Sequence, residues 1–339
     1  MRLLIRDLRG DEEGVASTVG TIMALLVFLT FLSLIVNQYV PVWMKDSEAS
    51  HMNNALGQFG GLKGAIDLQI LAAEAARTSG THYIPVTASS AVTLGVDGVP
   101  IFSAPSIGAL QAIPDAGSFT VQFSYIPNKA VPSQVATVNE TSSGAIQLSV
   151  GNRYYIAQTI AYENGAVIRY QSDGQTVRAQ PTFVVVKTNN TLDVSFGLVS
   201  LYGTGIVSGT STEVVNTQVF AFDRQDYTGF PSNTAVWINH TSPYGLAWYS
   251  FLNSTLANAL KGTGYGGTFT QTLLGEPTFT ATYLGTTIYI ISARYNTATQ
   301  IYTMRLQLWN RAVLPLTTFR LQHAQVQVGI GDTTQNVQF

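Results

Sequence analysis

Residues 15–36 read VASTVGTIMALLVFLTFLSLIV, and this stretch decides the architecture of the chain. No charged side chain occurs from Gly14 to Met44. As a helix, residues 15–36 would be about 33 Å long, close to the roughly 30 Å hydrocarbon core of a bilayer. We therefore expect a transmembrane or assembly helix, assigned with its flanking residues to 15–44.

The residues on either side of this span predict its orientation. Three arginines precede it (Arg2, Arg6 and Arg9), and Trp43 and Lys45 follow it. Positive charge favours the cytoplasmic side and aromatic residues favour the membrane interface. We expect the amino terminus in the cytoplasm, and the bulk of the chain after Trp43 outside the cell.

The first 14 residues, MRLLIRDLRGDEEG, form a short charged leader that meets the apolar run at Gly14 and Val15. A secretory signal peptide would have a shorter apolar region, followed by its cleavage site. The arrangement resembles the class III signal peptides of archaeal type IV pilin-like proteins, which a prepilin peptidase cuts ahead of the apolar segment. The resemblance covers about the first 75 residues and implies cleavage after Gly14, with Gly10 as the alternative site. Val19 departs from it, because many type IV pilins carry glutamate at that position.

Residues 45–79 predict an amphipathic stalk helix. Its apolar seam recurs at spacings of three and four residues, interrupted by one polar position and with Leu62 beside that break; the seam is Met52, Leu56, Phe59, Lys63, Ile66, Ile70 and Ala73. Four glycines weaken the helix by up to about 1 kcal/mol each relative to alanine; they are Gly57, Gly60, Gly61 and Gly64. Packing against the β-rich remainder of the chain, residues 80–339, which we call the head, or against another subunit must therefore hold this helix.

Residues 80–339 predict an extracellular, mainly antiparallel β-sandwich, which makes the whole chain α+β. Thirteen short β-branched or alternating runs support this prediction: 118–125, 145–150, 154–162, 166–170, 182–187, 192–198, 212–222, 235–239, 268–273, 278–284, 287–293, 301–309 and 324–329. Residues 80–143 form either a sub-layer beside a sandwich of 144–339 or a looped lead into it. Residues 152–168 also resemble archaeal membrane-anchored proteins with a β-rich ectodomain.

Two hairpin turns and one helix are predicted within the β-rich part. Asn164-Gly165 and Asp173-Gly174 tolerate the positive φ angles of tight hairpins. The helix would be capped by Ser242 and end at Gly262.

Composition argues against several kinds of chemistry. The 17 basic and 19 acidic side chains give a formal net charge of −2, so no nucleic-acid partner is expected. Cysteine is absent, and no two of the four histidines have the spacing of a shared metal site (His51, His82, His240 and His323). Glu140, Glu163, Glu213 and Glu276 could form a glycosidase pair only if folding joined two of them. We expect no catalytic residues, no metal, no cofactor and no enzymatic activity.

Four N-glycosylation motifs occur, at Asn139, Asn189, Asn239 and Asn253. Asn139 and Asn189 lie in polar sequence typical of loops, whereas Asn253 lies in the predicted helix. Asn139 and Asn189 are therefore the better candidates for a surface glycoprotein.

Together, the charged leader, the apolar span, the amphipathic helix and the β-rich part favour a pilin-like surface protein that serves in structure, adhesion or surface display. Its expected partners are prepilin peptidase, membrane lipid and copies of itself or related subunits. Gly20 and Ala24 form a small-xxx-small pair suited to helix packing. The alternatives are a membrane-anchored protein that never assembles, or an anchored glycan-binding or glycan-cleaving module. The last would use exposed tryptophans for stacking (Trp237, Trp248 and Trp309).

Overall fold

The computed structural model describes residues 9–99, 102–128, 130–271 and 276–331, and for residues 9–14 it describes the backbone alone. An unbroken helical segment opens it: α1 (Arg9–Leu34), a π-helical turn (Ile35–Tyr39) and α2 (Val40–Ser79). The π turn is marked by a bond from the N–H of Val40 to the carbonyl of Ile35, five residues back. Pro41 follows directly. Because its ring removes a donor and crowds the preceding turn, a widened turn lets the helix continue past it.

Helix α2 ends in a Schellman motif. Gly80 has a φ of 69°, its N–H bonds to the carbonyl of Arg77 at 3.2 Å, and the N–H of Thr81 bonds to Ala76 at 2.9 Å. Glycine suits this left-handed position because it carries no Cβ. The chain then turns away from the helix and enters the sheets.

Within the described residues, eighteen strands and one further helix follow. The first nine strands are β1 (Ala88–Thr93), β2 (Gly108–Ile113), β3 (Ser118–Tyr125), β4 (Ala136–Ser142), β5 (Ala145–Val150), β6 (Gln158–Glu163), β7 (Ala166–Gln171), β8 (Gly174–Ala179) and β9 (Phe183–Thr188). The remaining elements are β10 (Thr191–Tyr202), β11 (Gly205–Gly209), β12 (Thr212–Tyr227), β13 (Ala235–Ser242), α3 (Gly245–Leu260), β14 (Tyr265–Gln271), β15 (Pro277–Tyr283), β16 (Thr286–Asn296), β17 (Ile301–Trp309) and β18 (Leu316–Ile330).

The strands form three sheets, which we call the five-, six- and seven-stranded sheets. Their orders are β1-β12-β18-β10-β9, β11-β2-β5-β6-β7-β8 and β14-β15-β16-β17-β13-β3-β4. Neighbouring strands run antiparallel except for the parallel pair of β10 and β18. The predicted α+β class, with one long amino-terminal helix, a mainly antiparallel sheet domain and one short helix, is confirmed.

The described part of the head contains two apolar cores. The first surrounds α3 and includes Trp248, Phe196 and Phe319. The second lies beneath α2 and includes Phe59 and Leu148. Strands β10 and β18 contribute to both cores, so the five-stranded sheet links them.

The strand predictions succeed most fully where alternation is regular. The bounds of β3, β5 and β17 match the predicted runs, and Asn164 and Gly165 form a hairpin turn with φ angles of 44° and 78°. Five strands were not predicted: β1, β2, β4, β8 and β11. Strand β1 lies in the five-stranded sheet, β2 in the six-stranded sheet, and β3 and β4 in the seven-stranded sheet. Residues 80–143 therefore contribute to all three sheets and form no separate layer.

The predicted cap of α3 is wrong. Ser242 is the last residue of β13, and the N-cap of α3 is Tyr244. Ser242 Oγ instead accepts a hydrogen bond from the Tyr244 N–H at 3.1 Å and donates one to Glu163 at 2.8 Å. The hydroxyl therefore bonds to the N-cap residue itself and not to the N–H groups of the first helical turn, and its hydrogen is donated to a buried carboxylate.

Candidate functional site: the anchor helix and its joint with the head

The amino-terminal span is exposed on every side. Its most apolar 18-residue window has a mean hydropathy of 2.6, and none of that window is buried. Large side chains such as Val15 and Phe31 are 63% and 65% exposed. Such a helix is long and apolar enough to cross a membrane and is compatible with membrane anchoring.

The predicted processing and packing residues all lie on this helix. Gly14 and Val15 are consecutive residues within α1, while leader residues 1–8 lie outside the described residues. Gly20 and Ala24 are exposed one turn apart, and a Cβ built on Gly20 would have nothing within 4 Å. A second helix could approach closely at this pair.

The four glycosylation motifs differ in accessibility. Asn189 is exposed in the β9–β10 turn, whereas Asn139, expected in a loop, is exposed on β4 at the edge of the seven-stranded sheet. Asn239 and Asn253 are half-buried, and their side-chain oxygens accept hydrogen bonds from Arg305 at 3.1 Å and Tyr289 at 2.9 Å. The structure therefore leaves Asn139 and Asn189 the more accessible pair.

From Val40 onward the helix is packed on the head. The predicted seam is correct at Met52, Phe59, Ile66 and Ala73, which are buried, whereas Leu56, Lys63 and Ile70 are half-buried. The buried stripe also extends back toward the amino terminus through three residues that the prediction omitted (Val40, Met44 and Glu48). The change from exposed to buried therefore occurs at the π-helical turn.

Glu48 is the only carboxylate on the buried face of α2 within the described part of the chain, and its side chain lies in a socket of donors. One oxygen accepts a hydrogen bond from the Ser106 hydroxyl and another from the Arg153 N–H at 2.9 Å. The other oxygen accepts from the N–H groups of Tyr154 at 2.8 Å and Tyr155 at 2.6 Å. Four donors thus satisfy a fully buried carboxylate that joins α2 to two segments of the head.

The protonation of Glu48 reflects two opposing effects. Burial raises the pKa of its carboxyl group, whereas the hydrogen bonds from Ser106 and from residues 153–155 lower it. The hydrogen bonds prevail, so the pKa of Glu48 lies below its ordinary value. The contact between α2 and the head, which we call the joint, therefore favours the ionised form of the Glu48 carboxylate.

Further polar side chains of α2 satisfy backbone groups at irregular places in the five-stranded sheet. Gln58 accepts a bond from the Thr93 N–H at 2.9 Å, and His51 Nε2 lies 2.9 Å from the Thr93 carbonyl, at the end of edge strand β1. Gln69 accepts from the Val219 N–H at 2.8 Å and donates to the Thr217 carbonyl at 3.3 Å. Because the register of β12 shifts just after Val219, this side-chain amide supplies partners that the sheet ladder does not.

The carboxyl-terminal end of α2 is held by ion pairs. Glu74 pairs with Arg224 of β12, and Arg77 lies 3.3 Å from Asp223. Arg77 and Asp223 are largely solvent-exposed, so their pairing contributes little to stability. The buried bonds of Glu48 and Gln69 therefore make the stronger part of the joint.

A second buried carboxylate lies at the centre of the head. Glu163 is fully buried and accepts hydrogen bonds from Trp248 Nε1 at 2.7 Å and from Ser242 at 2.8 Å. His240 Nε2 lies 3.0 Å from the same carboxylate, and the His240 ring stacks on Phe119 with centroids 3.9 Å apart. This cluster links β6, β13 and α3, and it is closed to solvent.

The three tryptophans suggested for glycan stacking do not form an exposed platform. Trp248 is fully buried, while Trp237 and Trp309 are half-buried with Arg305 and Arg311 over their rings, at 5.7 Å and 4.5 Å. Within the described ranges, no three side chains of His, Asp or Glu are grouped to hold a metal ion.

Sequence reasoning missed Glu48, Gln69 and the burial of Glu163. A signal existed for Glu48, because it lies four residues after Met44 and four before Met52 on one helical stripe. A charged residue at such a position needs a partner, but the sequence does not name the donors.

Comparison with protein-family models, with curated proteins and with solved structures finds no match.

Proposed function

We propose that this chain is a pilin-like structural protein of the archaeal cell surface, inserted in the membrane by its amino-terminal helix before assembly. The observation that carries the proposal is the continuous helix from α1 to α2, bare and apolar up to Tyr39 and packed on the head from Val40. An isolated apolar surface of this size is unstable in water. Lipid covers it in the membrane, and neighbouring copies cover it in a filament.

The dimensions of the bare segment support this assignment. Residues 15–39 span roughly 37 Å as a helix, enough for the hydrocarbon core and part of one interface. Tyr39 and Trp43 follow the most apolar part, with ring centroids 5.9 Å apart. Aromatic pairs of this kind favour the membrane interface, which would position the head directly outside the bilayer.

The outer face of the stalk supports assembly over a solitary anchor. A Cβ built on any of its four glycines would have nothing within 4 Å (Gly57, Gly60, Gly61 and Gly64). Each glycine weakens an isolated helix, yet none of them is required by contact with the head. Close packing of a second helix, continuing the contact at Gly20 and Ala24, would account for these small residues.

Assembly is tested with the Gly20→Leu variant in the native host. We expect wild-type protein in filaments sheared from the surface, seen by electron microscopy and identified by mass spectrometry. The variant should remain in the membrane fraction with a folded head, because leucine adds bulk at the helix contact. Ile22→Phe, which adds bulk on the opposite face of the same exposed helix, is the matched control and should still assemble.

The same material tests processing. Intact mass should show a mature chain beginning at Val15, in membranes and in filaments alike. A chain that begins at Met1 in cells with active prepilin peptidase would contradict the processing step. Wild-type protein found only in membranes, under conditions in which other pili assemble, would favour the anchored protein that never assembles.

A further inference from the structure

A cleft of about 580 Å3 opens where three connections of the head meet. They are the β7–β8 turn, the link from β13 to α3, and the β16–β17 hairpin loop. Four tyrosines line the cleft: Tyr170, Tyr244, Tyr295 and Tyr302. The buried Glu163 cluster lies behind its wall, because Ser242 Oγ accepts a hydrogen bond from the Tyr244 N–H.

The tyrosines form two aromatic pairs. Tyr295 and Tyr302 have ring centroids 4.6 Å apart at 41°, and Tyr170 and Tyr244 have centroids 6.0 Å apart at 62°. Tyr295 and Tyr170 are 38% and 39% exposed, whereas Tyr244 is buried. Each pair therefore offers solvent one ring, supported from behind or beside by a second ring.

The supporting rings are held in place. A Cβ on Gly245 would lie 2.3 Å from the Cβ of Tyr302, so this tyrosine is packed directly on the start of α3. The Tyr244 hydroxyl donates a hydrogen bond to Gln147 Oε1 at 2.8 Å. An aromatic wall fixed in this way loses little conformational freedom when a ligand binds.

The amide side chains of the cleft are also fixed. Gln171 donates to Gln158 at 2.8 Å, and Gln175 donates to the Pro243 carbonyl at 2.9 Å. Gln175 also accepts a bond from the Ala247 N–H at 3.2 Å, which ties it to the first turn of α3. The site thus combines aromatic faces with preorganised amides, as ligand-binding clefts do.

The charge of the lining residues limits the chemical class of ligand that the cleft can bind. Among the described residues of the lining there is no lysine or arginine, and Asp173 is the one charged residue. A phosphate or an acidic sugar would find no cation here, and the many amide and hydroxyl groups suit an acyl chain poorly. A neutral sugar fits both features, because its C–H faces stack on aromatic rings and its hydroxyl groups bond to amides and carboxylates.

We propose that this cleft binds a neutral carbohydrate, with Tyr170 and Tyr295 as stacking residues. The cleft volume lies within the range of about 300–1,000 Å3 that is usual for small-ligand sites. This inference goes beyond the structural role of the anchor and does not depend on it, because binding can be measured without processing or assembly. It also assigns sugar recognition to tyrosines of the β7 and β16–β17 region in place of the tryptophans.

The test uses the full-length protein in lipid nanodiscs, free of sugar-based detergent. Maltotriose, cellotriose, mannotriose and chitotriose are the neutral probes, and tri-galacturonic acid is the acidic probe, each titrated by calorimetry and saturation-transfer NMR. We expect saturable binding of at least one neutral probe. Tyr295→Ala and Tyr170→Ala should each weaken it by about tenfold, the effect of losing one aromatic contact.

Two further variants separate stacking from folding. Tyr295→Phe keeps the ring and should bind within about threefold of wild type, since the stacking face remains. Tyr202→Ala removes a ring that is 42% exposed on β10, paired with Phe220 away from the cleft, and should leave binding unchanged.

Several results would overturn the proposal. They are no binding of any neutral probe, tighter binding of tri-galacturonic acid, or equal binding by wild type and Tyr295→Ala. Self-association of the wild type that is lost in Tyr295→Ala, without sugar binding, would instead assign the cleft to contact between copies.

Discussion

At the scale of single residues, Glu48 shows how a charge can be used inside an apolar seam. Burying a carboxylate is costly unless its oxygens are hydrogen-bonded, and here four donors surround it. The donors come from residues 106 and 153–155, so the bonds can form only when the head is folded. Glu48 therefore couples the position of the helix to the tertiary structure of the head.

Replacing Glu48 with glutamine should loosen this joint. The amide has one acceptor oxygen and places an NH2 group against backbone donors, so Glu48→Gln should lower the free energy of unfolding by about 1–3 kcal/mol. Chemical denaturation of full-length protein in nanodiscs measures the loss. Asp46→Asn, which alters an exposed carboxylate on the same helix, is the control. An equal effect of the two substitutions would show that the socket contributes nothing specific.

The joint should also make stability depend on pH. Because the folded-state pKa of Glu48 lies below the ordinary value of 4.5, its contribution is present above that value and is lost as the pH falls through the folded-state pKa. Wild-type protein should therefore lose stability more steeply than Glu48→Gln when titrated downward from pH 5. The prediction would be wrong if the free energy of unfolding changed with pH by the same amount in the two proteins.

At the scale of elements, the stalk helix has two different faces. Its inner face carries the buried stripe from Val40 to Ala73, and its outer face carries glycines with open space around them. Tertiary packing holds the inner face, so the helix tolerates residues of low helical propensity on the outer one. The glycines of the outer face lower the stability of the single chain, but they leave a surface that another helix can approach closely.

Gly61→Ala tests whether the outer glycines lower the stability of the single chain. Alanine at this exposed helical position should raise the free energy of unfolding by up to about 1 kcal/mol, because it lowers the entropy of the unfolded chain without a clash. Gly117→Ala is the control and should lower the free energy of unfolding. Gly117 has a φ of 61°, and a Cβ there would lie 2.3 Å from the Glu163 carboxylate. Destabilisation by Gly61→Ala would mean that this glycine is already in close contact within the single chain.

The same elements show what local sequence can predict. The anchor, the stalk seam from Met52 onward, and strands such as β3 and β17 follow from periodicity within a single segment. The parallel pairing of β10 with β18 joins segments more than a hundred residues apart. Strands β8 and β11 have six and five residues, none of them buried, so neither carries a clear apolar face. Glu48 and the tyrosine cleft depend on contacts between distant segments, which periodicity does not encode.

At the scale of the whole molecule, the chain divides into an apolar helix and a head that is joined to it without a flexible linker. The unbroken helix passes from one part to the other, and the bonds of α2 continue from Glu48 to Glu74. A displacement of the head should therefore be transmitted to the anchor. This continuity suits a load-bearing surface protein, because tension is carried by helix and sheet together.

The most direct test of the central proposal, an anchor in the membrane with its head outside the cell, is labelling of a single cysteine. The chain has no native cysteine, and Ser133 is exposed, so Ser133→Cys introduces one accessible thiol. Intact cells are treated with a membrane-impermeant maleimide, and a cytoplasmic protein with exposed thiols serves as the control. We expect the thiol to be labelled as fully in intact cells as after lysis, while the cytoplasmic control stays unlabelled until lysis. Labelling of Ser133→Cys only after lysis would place the head inside the cell and rule out the proposed topology.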